Sequence, residues 1–239
     1  MKRIGAEPAL RPFERLAMPY LPAPAEAAAE AENTFYLRGQ VGRMGKLLAH
    51  LELYREIQGL PGALVELGVY KGASLMRFAM YRALLEHEGS REIHGLDAFG
   101  AFPRDGVDDA SDRDFIERFE GERGEGIARA TLAQLFAEKA IGNVHLHEGN
   151  VFETLPDLLA RKPELRVALL HLDMDVYEPT AFAIEQLFPH MVPGGLILFD
   201  DYGLVAGATR AAEELVAREG LKLEKLPYHV APSFVRLPG

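Results

Sequence analysis

The sequence contains no cysteine, which removes disulfides, thiolate metal sites, iron–sulfur clusters and cysteine nucleophiles together. No apolar run approaches the roughly 18 residues that a membrane-crossing helix needs. The basic start, MKRIGAEPALRPFERL, lacks the continuous apolar stretch of a secretory signal. Positive charge is also short: 26 Lys+Arg stand against 36 Asp+Glu, a formal net charge of −10. A general nucleic-acid surface needs clustered positive charge, so neither nucleic acid nor a membrane is an expected partner. What is present is the balance of a soluble globular chain, 48 % hydrophobic and 26 % charged over 239 residues. That length suits one large domain rather than two. The expectation is a cytoplasmic, single-domain protein.

No internal repeat or linker divides the chain. Residues 1–33 are rich in Ala, Pro and Glu, with Pro8, Pro12, Pro19, Pro22 and Pro24 too closely spaced for one helix. They read as an arm lying on the surface or on a second subunit, with a short helix at 25–32, so a homo-oligomer is expected. Leu47, Leu48, Leu51, Leu53, Tyr54 and Ile57 recur near the helical period and predict one helix over Phe35–Gln58. It stops at Gly59, before the turn at Pro61-Gly62. Residues 1–58 are thus arm and helix, and 59–239 are the core.

In the core, short apolar runs alternate with helical stretches. The strand candidates are Ala63–Leu67, Glu92–Asp97, Asn143–His147, Arg166–Asp173 and Leu196–Asp200, with helices near 74–88, 127–139, 153–162, 179–191 and 207–219. This alternation predicts an α/β fold, a parallel sheet covered by helices on both faces. Leu221–Leu226 and Ser233–Leu237 would close it as an antiparallel hairpin. The polar stretch from Arg104 to Glu125 is the longest irregular piece, an insert over about 103–126 that could form a lid.

Ligands of such sheets bind at the carboxyl ends of the strands. Each candidate strand delivers an acid or amide there: Glu66, Asp97, Glu148 with Asn150, Asp173 with Asp175, and Asp200 with Asp201. In the first turn, Gly68 and Gly72 leave room for a ligand against the backbone, and Ser74 is placed to cap the next helix. The pattern is E-x-G-x-x-x-G, not the G-x-G-x-x-G of dinucleotide enzymes. Glu66 would repel a pyrophosphate but suits a positive ligand, and Asp97 is placed to accept bonds from ribose hydroxyls. Together they suggest a cationic nucleoside, S-adenosylmethionine. Asp173, Asp175, Asp200 and Asp201 repel one another unless a cation joins them. Hard oxygen donors favour Mg²⁺ or another divalent cation such as Ca²⁺, which would bind an acceptor hydroxyl while a carboxylate takes its proton.

The pieces VELGVYKGAS (65–74), GLDAFGAFP (95–103), EGNVFETLP (148–156), HLDMDVYEPT (171–180) and VPGGLILFDDYG (192–203) resemble, in order and spacing, the macrocin O-methyltransferase family, which methylates sugar hydroxyls in natural-product biosynthesis. The resemblance covers about residues 60–210. It implies a class I S-adenosylmethionine-dependent, Rossmann-like fold, a seven-stranded mostly parallel sheet with an antiparallel C-terminal strand. By position it implies cofactor binding by Glu66, Gly68, Tyr70, Gly72, Ser74, Asp97, Asn150, Val151 and Asp173. Mg²⁺ would sit on Asp173, Asp200 and Asp201, with Asp173 or Asp175 as general base. Ala98 and Asn150 depart from the family, where Ser or Thr and Asp are common, and both fall at cofactor contacts. The acceptor would be a sugar or glycosylated metabolite.

Besides a non-catalytic binding protein of the same fold, which the complete acid set speaks against, two rival readings remain at this point, a metal-dependent methyltransferase of a catechol-like phenol and a nicotinamide-dependent oxidoreductase. The first is disfavoured because Met174, Asp175 and Val176 stand where that class carries Lys, the second by the missing third glycine. His171 is expected to pack near the site rather than catalyse, and His145 and His147 to be structural. Tyr177, Glu178 and Tyr202 are candidate acceptor contacts. Tyr36, Arg38, Arg43 and Lys46 are expected on an ordinary helix surface.

Overall fold

A computed structural model describes residues 25–229 and 231–239; residues 1–24 of the expected arm lie outside them. Seven strands form one sheet: β1 (Ala63–Leu67), β2 (Ile93–Asp97), β3 (Val144–Glu148), β4 (Val167–Leu172), β5 (Met191–Phe199), β6 (Leu223–Lys225) and β7 (Ser233–Arg236). Their order is β3-β2-β1-β4-β5-β7-β6. The first five run parallel, and β7 lies antiparallel to both β5 and β6. From β1 the chain builds outward through β2 to β3, then returns to place β4 on the other side of β1. The switch point therefore lies between β1 and β4, where open parallel sheets bind ligands.

The helices are α1 (Ala25–Arg38), α2 (Val41–Glu56), α3 (Ala73–Leu85), α4 (Ala110–Arg123), α5 (Arg129–Glu138), α6 (Val151–Arg161), α7 (Tyr177–Leu187) and α8 (Ala206–Glu219). Buried strands alternate their side chains between two cores. Leu64, Ile93, Leu169, Leu196 and Leu198 pack against Leu53, Tyr54 and Ile57 of α2, Leu75 and Phe78 of α3 and Leu132 and Phe136 of α5. On the opposite face Val65, Leu67, Leu170, Leu172, Ile197 and Phe199 meet Leu155 and Leu158 of α6, Ala183 and Leu187 of α7 and Ala212 and Leu215 of α8. Each large apolar side chain buried here contributes roughly 1.5–3 kcal/mol of transfer free energy.

Two expectations are corrected. The single helix over Phe35–Gln58 is two helices, broken at Gly39-Gln40, where Gln40 is extended (φ −69°, ψ 137°) and starts α2. The stretch from Arg104 to Glu125 is mostly helical rather than irregular. The Asp109 carboxylate caps α4 by accepting the Ser111 N–H at 2.8 Å, and Ile116 is buried with Val107 and Val176. The low apolar content of α4 hid it, because one apolar stripe suffices for a helix lying over a loop. No described helix is long and apolar enough to cross a membrane.

Candidate active site

A cavity of about 780 Å³ opens at the carboxyl ends of β1, β2, β4 and β5, beneath α4. Its volume is that of a small-molecule site. Gly68, Tyr70, Ser74, Asp97, Asn150, Val151, Asp173, Asp175, Asp200 and Asp201 all line it. Gly72 sits just behind, at the start of α3, in the left-handed region with φ 80°.

The first loop is held by backbone geometry. Gly68 has φ 87°, and a Cβ there would lie 1.8 Å from the Asp173 carbonyl oxygen, so only glycine lets this loop pass the end of β4. Tyr70, Phe99 and Asp175 are non-glycine residues with positive φ, at 50°, 52° and 63°. They follow β1, β2 and β4, and such backbone persists where surrounding contacts hold it. For the first two the brace is Asp97. Its carboxylate accepts the N–H groups of Val69 (2.8 Å), Tyr70 (2.9 Å) and Phe99 (2.5 Å), while burial pushes it up despite these bonds. Asp97 was expected to meet ribose; it lines the cavity and also fixes the two loops around it. The insert closes over them. The Tyr70 hydroxyl and the Lys71 ammonium both donate to the Arg123 carbonyl at 2.8 Å, and Asn150 donates to the Asp105 carbonyl (3.2 Å) while capping α6 at Phe152 N–H (3.2 Å).

Glu66 does not face the cavity as expected. It is fully buried, accepts the Ser74 hydroxyl at 2.7 Å, and stands beside its register partner His171 on β4, with Oε2 3.2 Å from Nδ1. The expected capping role of Ser74 is corrected too: its hydroxyl goes to Glu66, and α3 starts from left-handed Gly72 without a side-chain cap. The other nitrogen of His171 lies 3.5 Å from Asp200 Oδ1. Burial alone would lower His171, but the two carboxylates flanking it raise it to about 10. A buried imidazolium thus bridges Glu66 and Asp200, which charge pairing makes tolerable in the interior.

The acidic cluster follows from β4 and β5 ending side by side. One carboxylate oxygen from each of Asp173, Asp200 and Asp201 lies within 4.8 Å of the others. Burial, then repulsion from Asp200 and Asp201, raises Asp173 well above the carboxylate range. Burial, then repulsion from Asp175 and Asp200, does the same to Asp201. Burial pushes Asp175 up to about 8, with Asp173 and Asp200 adding to it, while its N–H donates to Asp201 Oδ2 at 3.2 Å. Asp200 alone is lowered: burial opposes ionisation, but His171 and Lys46 together outweigh it. The Lys46 ammonium of α2 donates to Asp200 Oδ2 at 2.6 Å and stands 3.9 Å from Asp173. Asp200 Oδ1 has no hydrogen-bond partner, nor do His50 Nε2 and His171 Nε2 beside it. Asp173 and Asp201, whose protons are held by burial and by repulsion from their neighbours, and the charged Asp200 offer only oxygen together and fit a hard divalent cation.

Residues 38–226 match the macrocin O-methyltransferase family (TylF). The chain belongs to that family. It is 34 % identical over 156 residues to the 8-demethyl-8-(2,3-dimethoxy-alpha-L-rhamnosyl)-tetracenomycin-C 4'-O-methyltransferase of Streptomyces olivaceus, covering 62 % of this chain and 56 % of that protein. It is 27 % identical over 172 residues to the mycinamicin III 3''-O-methyltransferase of Micromonospora griseorubida, covering 70 % and 65 %. The chain therefore spans less than two thirds of the length of these relatives. Among solved structures, the calicheamicin methyltransferase CalS11 superposes with a TM-score of 0.68 at 27 % identity, over 91 % of this chain and 87 % of that one. Another structure of the same enzyme, described as a TDP-rhamnose 3'-O-methyltransferase, gives 0.65 at 28 %, over 91 % and 88 %. The fold is accordingly that of the class I S-adenosylmethionine-dependent methyltransferases, and the oxidoreductase reading falls away.

Sequence reasoning missed the contribution of α2 and α3. Arg43 and Lys46, expected on a helix surface, line the cavity together with Arg77. The signal was available: Arg43, Lys46 and His50 recur at three and four residues and so share one helix face. Tyr177, Glu178 and Tyr202 turn elsewhere. Their side chains go to Glu214, to the N–H groups of Asp108 and Asp109, and to Glu213 respectively.

Proposed function

We propose that the protein is an S-adenosylmethionine-dependent O-methyltransferase, assisted by a divalent cation, whose acceptor is a hydroxyl of a sugar or glycosylated metabolite. The observation that carries this reading is the convergence of the first loop, Asp97 and the four aspartates on one cavity at the switch point of the sheet. Gly68, Tyr70, Gly72 and Ser74 would form the cofactor loop, Asp97 would receive the ribose, and Asn150 and Val151 would flank the adenine. Asp173 would face both cofactor and acceptor. Glu66 serves the same ligand from below, by holding Ser74 and His171. Bound S-adenosylmethionine supplies an electrophilic methyl group on a cationic sulfur, and the carboxylate-rich wall favours that charge.

The divalent cation would be held by Asp173, Asp200 and Asp201, where it would lower the pKa of an acceptor hydroxyl. Asp175, raised to about 8, is matched to the task of general base near neutral pH; Asp173 is the other candidate. Its carboxylate would take the hydroxyl proton as the oxygen attacks, while the braced loops hold the reactants in line. Residues 41–56 work with the core at 59–239, since α2 supplies Lys46 to the cluster. The sugar acceptor rests on the relatives' names, which specify rhamnosyl, mycinamicin and TDP-rhamnose substrates for those proteins.

The test is a thermal melt with S-adenosylhomocysteine, with and without Mg²⁺, on the wild type and Asp200→Asn. Ligand at about 100 times its Kd adds roughly 2.7 kcal/mol. For this chain length that is a shift of about 5 °C. A shift with the homocysteine product supports the cofactor assignment, and its absence overturns it. A further Mg²⁺ increment, lost in Asp200→Asn, supports the metal; no increment in the wild type removes it.

A further inference from the structure

Arg77 is the anomalous charge of this cavity, and Arg43 acts on it. Both line the cavity, yet neither guanidinium forms an ion pair with any described residue. Arg77 is partly buried, and burial lowers it, with Arg43 among the groups opposing its charge. A half-buried guanidinium with no carboxylate in contact, as at Arg77, is unfavourable and is kept where something else completes it; the exposed Arg43 brings a second positive charge to the same cavity. The carboxylates that act on Arg77, Glu66 and Asp200, are engaged by Ser74, His171 and Lys46, so neither completes its guanidinium.

The orientation of Arg77 is fixed. Its Nη1 lies 3.0 Å from His50 Nδ1, and His50 is fully buried, stacked on Phe78 at 4.8 Å and 12°. A guanidinium can only donate, so Nδ1 accepts and the ring proton sits on Nε2, 4.0 Å from Asp200 Oδ1. Arg77 follows Ser74 of the first loop by three residues, one turn along α3. Arg43 precedes Lys46 by three residues on α2, an axial offset of about 4.5 Å, and Lys46 holds Asp200 at 2.6 Å.

We infer that Arg43 and Arg77 form a subsite for an anionic group, a carboxylate or a phosphate, of a molecule bound in the cavity, about one helical turn from the aspartate cluster. A planar guanidinium with free donors matches either oxyanion, often in bidentate fashion. The inference rests on the proposed methyltransferase reading, which offers two sources: the amino-acid carboxylate of the cofactor, or a phosphate on an acceptor sugar carried by a nucleotide.

The test is calorimetric titration of wild type, Arg77→Met and Arg43→Met with three probes. S-adenosylhomocysteine carries the carboxylate, 5′-methylthioadenosine shares its adenosyl thioether but has no carboxylate, and thymidine diphosphate carries the phosphates. A lost charge-assisted bond weakens binding by about tenfold or more. Such a loss for S-adenosylhomocysteine, with methylthioadenosine unchanged, supports the subsite and assigns it to the cofactor. A loss confined to thymidine diphosphate supports it and assigns it to the acceptor. Equal affinities in all three proteins overturn it, as does an equal loss for methylthioadenosine, which would mean a general disturbance of the cavity. Arg43 is exposed on α2, so its variant reads the subsite even where Arg77→Met unfolds. If the wild type does not bind S-adenosylhomocysteine the methyltransferase reading fails, while the diphosphate titration still decides the subsite; binding of neither overturns both.

Discussion

Replacing His171 by Gln tests the buried charge chain directly. Gln keeps polar atoms near Glu66 and Asp200 but removes the positive charge between them. Both His171 and Glu66 are wholly shielded from solvent, and Asp200 is nearly so. Removing one member of a buried charged set leaves the others uncompensated, at roughly 3–5 kcal/mol. The rise of His171 from 6.5 to about 10 corresponds to an interaction on the order of 5 kcal/mol. The two routes agree. Unfolding entropy for 239 residues is about 0.5 kcal/mol/K, so Tm should fall by roughly 6–10 °C. The pH dependence has a definite sign. A group whose folded value is raised contributes stability that is complete below its unfolded value near 6.5 and is lost as pH rises through about 10. The gap between wild type and His171→Gln, measured by thermal melts in metal-free buffer, should therefore be largest at about pH 6–6.5 and narrow steadily toward pH 10. A gap below about 2 °C, or one constant from pH 6 to 10, would refute a buried imidazolium.

Further outcomes follow from other titrating groups. Asp175→Asn should lower kcat by about 10²–10⁴-fold while raising Tm near pH 8, because a carboxyl raised to about 8 loses stability as pH climbs from its ordinary range through that value. Wild-type turnover would exclude Asp175 as base, and a lower Tm at that pH would refute its raised titration. In the wild type, kcat should climb with pH and flatten above the titration of Asp175, raised to about 8 by burial and by Asp173 and Asp200 and brought lower where a cation offsets those two; a profile with no rise would count against this assignment. His94 and His147 face each other at 3.0 Å across β2 and β3, and burial holds both down to about 4. Their contribution is present above about 6.5 and lost as pH falls through 4. His147→Gln should thus lose less Tm than wild type between pH 7 and about 4.5, and equal losses would remove that source of acid lability.

The carboxyl-end acids show what could be read from the chain alone. Parallel strands are short apolar runs whose alternation with helices is local information. Ala63–Leu67 was therefore bounded correctly, and the residue following each strand had to sit at the same edge of the sheet. That placed Asp97, Asp173, Asp175, Asp200 and Asp201 around one point before any contact was known. Which way a strand-end side chain turns is not local. Asp97 closes its strand candidate and Glu66 stands one residue before the end of its own, yet Glu66 points into the core between α3 and β4 while Asp97 reaches the cavity. The difference is set by strand parity and by what packs above each face. Helix α4 was hidden because its burial depends on Val107 and Val176 from other segments. The cationic wall from α2 and α3 was hidden for the same reason. Arg43, Lys46 and Arg77 look like solvated helix residues until packing of α2 on α3 turns that face toward the ends of β4 and β5. Sequence determined the strands and the acids they carry, because both are written in local periodicity. Tertiary structure decided which charges meet, because His171 between Glu66 and Asp200, and Lys46 against Asp200, bring together residues 105 and 154 positions apart in the chain.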